Sequence, residues 1–166
     1  MPKEDTVRAT YPVYPDVRQV LPENDRPPCR LGGYRVLLVP RPLLDRVGAF
    51  LRAAEIPLDA AADPALKGFS LKTAPAVPLP AEEPPAAGYA AAVGAAGVGM
   101  RAADAAGFLS ALQTLWQLLE SREPLPAGTI LDRPEVRVRS FQMDLGRQPE
   151  TLAEVKRVIR RQGRLR

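Results

Sequence analysis

A chain of 166 residues has room for one domain, or for one domain and part of a second. Its one cysteine, Cys29, excludes an internal disulfide, and the absence of histidine removes the commonest general base and the commonest metal ligand. The net charge of +4 originates in the tail, because residues 137–166 carry nine basic and three acidic side chains.

The first ten residues are polar and lack the apolar core of a secretory signal. No stretch of the chain approaches the roughly 18 apolar residues that a membrane-spanning helix needs. We therefore expect no signal peptide, no membrane association and, if Met1 is the native start, a cytoplasmic location.

The next part of the chain predicts two strands around one helix. The proline-rich residues 11–28 indicate an extended arm with one short strand at most. Residues 34–39 (YRVLLV) are typical of a buried strand, and residues 69–73 (FSLKT) alternate like a half-buried one. Between them, the apolar spacing of residues 43–54 predicts an amphipathic helix, and residues 56–64 are expected to form a loop.

A proline-rich connector, residues 74–87, leads into a hairpin and a second helix. Two short apolar runs, 88–93 and 98–102, flank a glycine- and alanine-containing turn and indicate the hairpin. Asp104 occupies the N-cap position of a helix that runs to about Leu119. Two helices with one apolar stripe each, and about four strands, predict an α+β fold: an antiparallel or mixed sheet with two helices on one face.

The end of the chain predicts a separate unit. Residues 136–145 indicate a strand, and Thr151 with Glu154 three residues later forms a capping box that opens a third helix. The apolar stripe of this helix consists of Leu152, Val155, Val158 and Ile159. This order of strand, loop and helix is typical of the first unit of a β/α repeat that follows the α+β domain.

Several sequence pieces follow one another between residues 88 and 147. They are Gly88-Tyr89, residues 104–108 (DAAGF), 112–119 (LQTLWQLL), 125–127 (LPA), 130–134 (ILDRP) and 139–147 (RSFQMDLGR). In this order they resemble the signature of family 20 glycoside hydrolases, the β-N-acetylhexosaminidases. Two departures stand out: Ser140 replaces a glycine of most members, and Gln148 replaces a histidine of many.

The resemblance implies that residues 1–130 form the small α+β N-terminal domain of such an enzyme, and that residues 131–166 form the first strand and helix of its catalytic (β/α)8 barrel, here truncated. Members of the family remove terminal N-acetylhexosamine with retention, using the acetamido oxygen of the substrate and an aspartate–glutamate pair. That pair belongs to a later barrel strand and has no counterpart in these 166 residues. We therefore expect no catalytic residue, no cofactor and no metal here, and no activity of the chain alone.

Arg147 and Asp144 are the candidate substrate-binding residues. Arg147 follows the predicted barrel strand, and active sites of β/α barrels lie at the C-terminal ends of the strands. In the family the matching arginine holds the non-reducing-end sugar, so the resemblance implies that Arg147 anchors the substrate and that Asp144 orients it. The alternatives are a loop arginine paired with Asp144, and an aspartate that caps the strand end.

Three further side chains on the second helix have ordinary structural explanations. Trp116 lies in the apolar stripe, so we expect it in the core rather than on a sugar-stacking platform. Gln113 and Gln117 flank the stripe and are expected to hydrogen-bond to neighbouring backbone rather than to a substrate.

The basic residues 156–166 leave a second function open. Without interleaved aromatic residues, they are more typical of a solvated helix face than of a nucleic-acid site. The alternative function is a basic interaction module that binds nucleic acid or a partner protein through this helix, in which case its apolar stripe should be buried. The family interpretation instead predicts an exposed stripe, an amino-sugar glycan as partner of the full-length protein only, no nucleic acid, and a surface open to self-association.

Overall fold

The computed structural model describes residues 19–23, 27–30, 33–121, 124–135, 140, 142 and 151–163. The strands in this part of the chain are β1 (Gln19–Pro22), β2 (Val36–Val39), β3 (Asp59–Ala62), β4 (Phe69–Lys72), β5 (Tyr89–Gly94), β6 (Gly97–Ala102) and β7 (Gly128–Asp132). The helices are α1 (Leu44–Ala53), which follows the 3-10 turn Arg41–Leu43, α2 (Ala105–Glu120) and α3 (Leu152–Gly163).

All the described strands belong to one mixed sheet of order β1-β7-β5-β6-β4-β2-β3. The pair β2–β3 is parallel, with α1 as its crossover, and the other pairs are antiparallel. The α+β class is confirmed, but the expected number of about four strands is wrong. The loop predicted over residues 56–64 contains β3, whose pairing with β2 outweighs the low strand propensity of Asp59 and its three alanines.

Both α1 and α2 cover the same face of the sheet, as predicted. The register places Tyr89 opposite Ala102 on one side and Asp132 on the other, so these side chains point to one face. That face also holds Leu71 and Leu37, and together with the buried residues of α1 and α2 it forms the hydrophobic core. The helices bury their apolar stripes here, which is the main favourable term in the stability of the domain.

The proline-rich connector covers part of the opposite face. An ideal Cβ on Gly99 would lie 2.1 Å from the carbonyl oxygen of Pro78, so the two backbones are in direct contact. Val77 is buried beside them. Further along, Arg101 Nη2 donates to the carbonyl oxygen of Glu82 at 2.9 Å. The connector is therefore a packed layer of the domain.

Helix α2 begins where the sequence predicts. The Asp104 side chain accepts a hydrogen bond from the Gly107 N–H at 2.8 Å, as an N-cap does. One face of the helix, including Leu112, Leu115 and Leu118, is buried against the sheet. The 3.6-residue periodicity of the apolar side chains explains both the helix and the face that it buries.

The end of the chain is only partly described. Helix α3 forms, and its Glu154 N–H donates to Thr151 Oγ1 at 3.2 Å, which is one half of the expected capping box. Most of the strand predicted over residues 136–145 lies outside the described residues. The predicted boundary between residues 130 and 131 falls within β7, a strand paired on both sides. No described helix has the length and hydropathy needed to cross a membrane.

Candidate functional site

The predicted substrate-binding residues, Arg147 and Asp144, lie outside the described residues, so their role stays a prediction. Elsewhere in the described part of the chain, no cluster of three or more histidine, cysteine, aspartate or glutamate side chains is arranged to hold a metal ion. Three features of the described residues are candidate sites: the C-terminal end of β7, the groove between α1 and α2, and the surface of α3.

At the end of β7, three backbone segments are packed against one another. An ideal Cβ on Gly88 would lie 2.2 Å from the carbonyl oxygen of Asp132, and one on Gly107 would lie 2.1 Å from the carbonyl oxygen of Gly88. Only glycine permits these approaches, since a methyl group has no room at such distances. The first turn of α2, the start of β5 and the end of β7 are thereby held at fixed positions.

Buried polar side chains lie beside these glycines. The hydroxyl groups of Tyr89 and Thr114 are 2.7 Å apart and join β5 to α2 inside the core. Asp132 is only 4% exposed and stands opposite Tyr89 in the register. A buried carboxylate requires hydrogen-bonding or charged partners. The C-terminal end of β7 is therefore held by polar contacts as well as by close backbone packing.

A groove of about 160 Å³ lies between α1 and α2 at the same end of the sheet. Its walls include Val47 and Phe50 of α1 and Phe108 and Leu112 of α2. The Phe108 ring also packs against Phe69 of β4, with the ring centroids 6.0 Å apart. Because the described lining is apolar apart from Arg46, this groove suits packing and lacks the paired carboxylates that glycoside hydrolysis requires.

The comparison with known families decides the identity of this architecture. A model of glycosyl hydrolase family 20, domain 2, matches residues 10–133. The chain belongs to family 20.

Solved family 20 structures share its fold. The GH20 β-N-acetylhexosaminidase from Streptomyces coelicolor A3(2) is 28% identical with a TM-score of 0.57, and the alignment covers 90% of this chain and 32% of that chain. A mutant β-hexosaminidase from Streptomyces plicatus, in complex with product (GlcNAc), is 30% identical with a TM-score of 0.58, and the alignment covers 92% of this chain and 32% of that one. This chain therefore spans 32% of the length of each of these enzymes. No curated protein sequence matches it.

The family 20 signature residues have clear packing roles in this domain. Gly88 and Gly107 make the close backbone contacts, and Asp104 caps α2. The segment Leu112–Leu119 supplies Thr114, the partner of Tyr89. These residues were recognised from the sequence as parts of motifs, but their contacts with one another were not predicted. A threonine in the middle of an apolar helix stripe was the signal for a buried hydrogen bond.

The remaining candidates on α2 are half-buried. Trp116 packs against the core from its margin rather than lying fully inside it. Gln113 and Gln117 are also half-buried on the same helix. These positions accord with structural roles for all three side chains, although Trp116 lies at the margin of the core and not inside it as expected.

Helix α3 combines an exposed apolar stripe with a basic surface. Leu152 is 69% exposed and Ile159 is 56% exposed, whereas Val155 and Val158 are half-buried. The basic side chains on the helix are exposed; they are Lys156, Arg157, Arg160 and Arg161. A hydrogen bond from Arg157 lowers the pKa of the Glu154 carboxyl below its ordinary value. The helix is thus stabilised within itself but lacks the burial that holds α1 and α2.

Proposed function

We propose that this chain is the non-catalytic N-terminal domain of a β-N-acetylhexosaminidase-like family 20 enzyme, with residues 131–166 forming the first strand and helix of its catalytic barrel. The observation that carries the proposal is the asymmetric coverage: the chain aligns over 90% of its own length with 32% of a solved β-N-acetylhexosaminidase. The family model that matches residues 10–133 is that of glycosyl hydrolase family 20, domain 2, which supports an assignment to one domain of a larger enzyme.

The surface of α3 supports the barrel part of this proposal. A helix that ends a finished domain buries its apolar stripe, whereas α3 exposes Leu152 and Ile159. The first helix of a barrel requires a neighbouring strand and helix to cover that stripe. The exposed stripe is therefore the surface expected of a β/α unit whose neighbours come from later in a longer protein.

The proposed substrate is a glycan that ends in an N-acetylhexosamine. In the complete enzyme, Arg147 would donate hydrogen bonds from its guanidinium group to adjacent hydroxyls of the terminal sugar, and Asp144 would hold that group in place. The acetamido oxygen of the substrate would act as nucleophile with an aspartate–glutamate pair from the later barrel. Residues 1–166 would then contribute substrate binding and structural support, and no catalytic carboxylate.

The proposal can be tested with a chimera in which this chain replaces the matching first third of the S. coelicolor enzyme. We expect the isolated chain to give no turnover of a chromogenic N-acetylglucosaminide above a heat-inactivated control. The chimera should regain turnover relative to the S. coelicolor enzyme that lacks its own first third. A monomeric chimera with a cooperative melting transition and no activity would contradict the proposal, as would clear activity of the isolated chain.

The substrate-binding role of Arg147 can be examined in the same chimera. Arg147→Ala should lower kcat/KM by a factor of about 100 or more, because a charge-assisted hydrogen bond to a substrate contributes about 1.5–3 kcal/mol and this side chain would make two. Arg147→Lys should recover only part of the loss, since an ammonium group cannot reproduce the planar pair of donors. If Arg147→Ala left kcat/KM unchanged, the loop-arginine alternative would replace the anchor role.

The alternative function, a basic interaction module, draws on the exposed basic residues of α3. We favour it less because its binding helix should bury the apolar stripe against its own sheet, and Leu152 and Ile159 are exposed. Fluorescence anisotropy with labelled single- and double-stranded oligonucleotides, at low and high salt, provides the test. Binding that is specific and survives physiological salt would favour this alternative.

A further inference from the structure

Helix α1 ends in a motif that normally uses glycine. The Ile56 N–H donates to the Leu51 carbonyl at 2.9 Å, and the Glu55 N–H donates to the Arg52 carbonyl at 3.1 Å. This is a Schellman motif, with Glu55 at the left-handed position and a φ of 55°. Because a side chain is disfavoured in this backbone conformation, glycine would be the more stable residue here.

The charge of Glu55 is also unfavourable for α1. The C-terminal end of a helix carries the negative end of the helix dipole, so a cation is preferred near it and a carboxylate is not. Glu55 therefore conflicts with both the backbone conformation and the local electrostatics of its own helix. Two local disadvantages at one position indicate that the side chain serves a contact elsewhere.

That contact is with α3. The Glu55 Oε1 atom accepts a hydrogen bond from Arg160 Nη1 at 2.7 Å, across 105 residues of sequence. The two side chains are 58% and 48% exposed, respectively. A pair this exposed adds little to the global stability of the protein. It is nevertheless a direct contact between the C-terminal end of α1 and α3. The Arg160 guanidinium also supplies the cation that the end of α1 lacks.

We propose that Glu55 is a positioning residue that docks α3 onto the C-terminal end of α1. Leu152 and Ile159 are exposed and Val155 and Val158 are only half-buried, so apolar burial holds α3 less firmly than it holds α1 and α2. The Glu55–Arg160 pair therefore orients α3, while the apolar stripe of α3 stays accessible to the next part of the protein, which in the proposed function is the rest of the barrel. This inference relies on the proposed function only for the identity of that next part, the barrel; the docking contact is independent of any enzymatic activity.

The experiment combines the melting temperature with amide hydrogen exchange in α3, both on the full 166-residue chain. Glu55→Gly should raise the melting temperature by about 2 °C because it removes the left-handed side chain, yet it should speed exchange in α3 by about two- to fivefold. Glu55→Gln and Arg160→Gln should speed exchange to the same extent without raising the melting temperature. A residue with only a local structural role would change the melting temperature and leave α3 unaffected.

The matched control is Arg161→Gln, which removes a neighbouring exposed charge from α3 and should leave the exchange rates unchanged. The charge-reversed double variant, Glu55→Arg with Arg160→Glu, should restore the protection of α3. High salt should reduce the difference between the wild-type chain and Arg160→Gln, since it screens exposed pairs. The proposal is overturned if wild-type α3 exchanges like an unstructured peptide, if the single variants leave α3 unaffected, or if the double variant fails to restore its protection. A failed chimera assay would not affect any of these results.

Discussion

The Tyr89 and Thr114 hydroxyl groups form a 2.7 Å hydrogen bond between residues with no solvent exposure, linking the start of β5 to the middle of α2. Two pieces of the family 20 signature, distant in sequence, are therefore joined by one bond in the core. A buried hydroxyl that lost its partner would retain its desolvation cost, so each of these residues constrains the other. This coupling explains why the helix segment carries a threonine among leucines.

The first prediction is a double-mutant cycle on this pair. Tyr89→Phe and Thr114→Val should each lower the free energy of unfolding by about 1–3 kcal/mol, because each removes one partner of a buried hydrogen bond. The double variant should be less destabilised than the sum of the single variants, since it removes both polar groups. Urea denaturation of all four proteins measures the coupling. Strictly additive effects would show that the two hydroxyls act independently.

Gly107 and Gly48 provide a second test, because both are helical glycines with different surroundings. Gly107→Ala places a methyl group against the Gly88 backbone, so we expect a loss of about 3 kcal/mol or more and a lower melting temperature. Gly48→Ala meets only the mobile end of Arg52, so its better helix propensity should raise stability by about 0.5–1 kcal/mol. Thermal melting distinguishes the two. A stabilising Gly107→Ala would mean that the backbones do not touch.

The third prediction concerns alkaline pH. Burial raises the pKa of the Cys29 thiol above its ordinary value of 9.0, and burial likewise raises the pKa of the Tyr34 phenol above 10.0. The folded protein therefore holds these protons more tightly than the unfolded chain does. The stabilisation is complete below pH 9 and is lost as the pH rises through the raised pKa values, so the free energy of unfolding should fall above about pH 9.

The variant Cys29→Ala distinguishes the contribution of the Cys29 thiol to this loss of stability at alkaline pH from that of the Tyr34 phenol. Between pH 8 and pH 10, the melting temperature of the variant should fall less than that of the wild-type chain, because only Tyr34 of the two groups still titrates. A matched measurement at pH 7 corrects for the altered packing at this fully buried position. Equal losses in the two proteins would rule out a contribution from Cys29.

The sequence predicted those elements whose signal is local. Helices α1 and α2 have regular apolar spacing, and the hairpin of β5 and β6 surrounds a clear turn. Strands β3 and β7 were missed for a physical reason: each is short and is specified by its partners, β2 for β3, and β1 and β5 for β7. Strand pairing between distant segments leaves a weak trace in single-residue propensities.

The site could be predicted only as a set of matching motifs. Asp104 carries a local signal because an N-cap acts within one turn of its own helix. The roles of Gly88 and Asp132 depend on three segments that meet only in the folded sheet, and sequence spacing does not reveal such a meeting. Glu55 gave no signal at all, since its conformation and its partner Arg160 are both properties of the fold.

The last prediction compares the protection of α2, β7 and α3 from hydrogen exchange. Helix α2 is buried along one face and β7 is paired on both sides, so their amides should exchange slowly, at rates set by global unfolding. Slow exchange should extend to Asp132, because Leu131 and Asp132 complete β7.

Helix α3 should exchange at least 100-fold faster than α2, since a 12-residue helix whose apolar stripe is only partly buried is marginally stable in water. Its rates should nevertheless stay below those of an unstructured peptide because of the capping bond from Thr151 and the contact with Glu55. Hydrogen exchange followed by NMR resolves each segment. Equal protection of α2 and α3 would mean that α3 is an integral part of a finished domain, and we would then favour the interaction module over the barrel fragment.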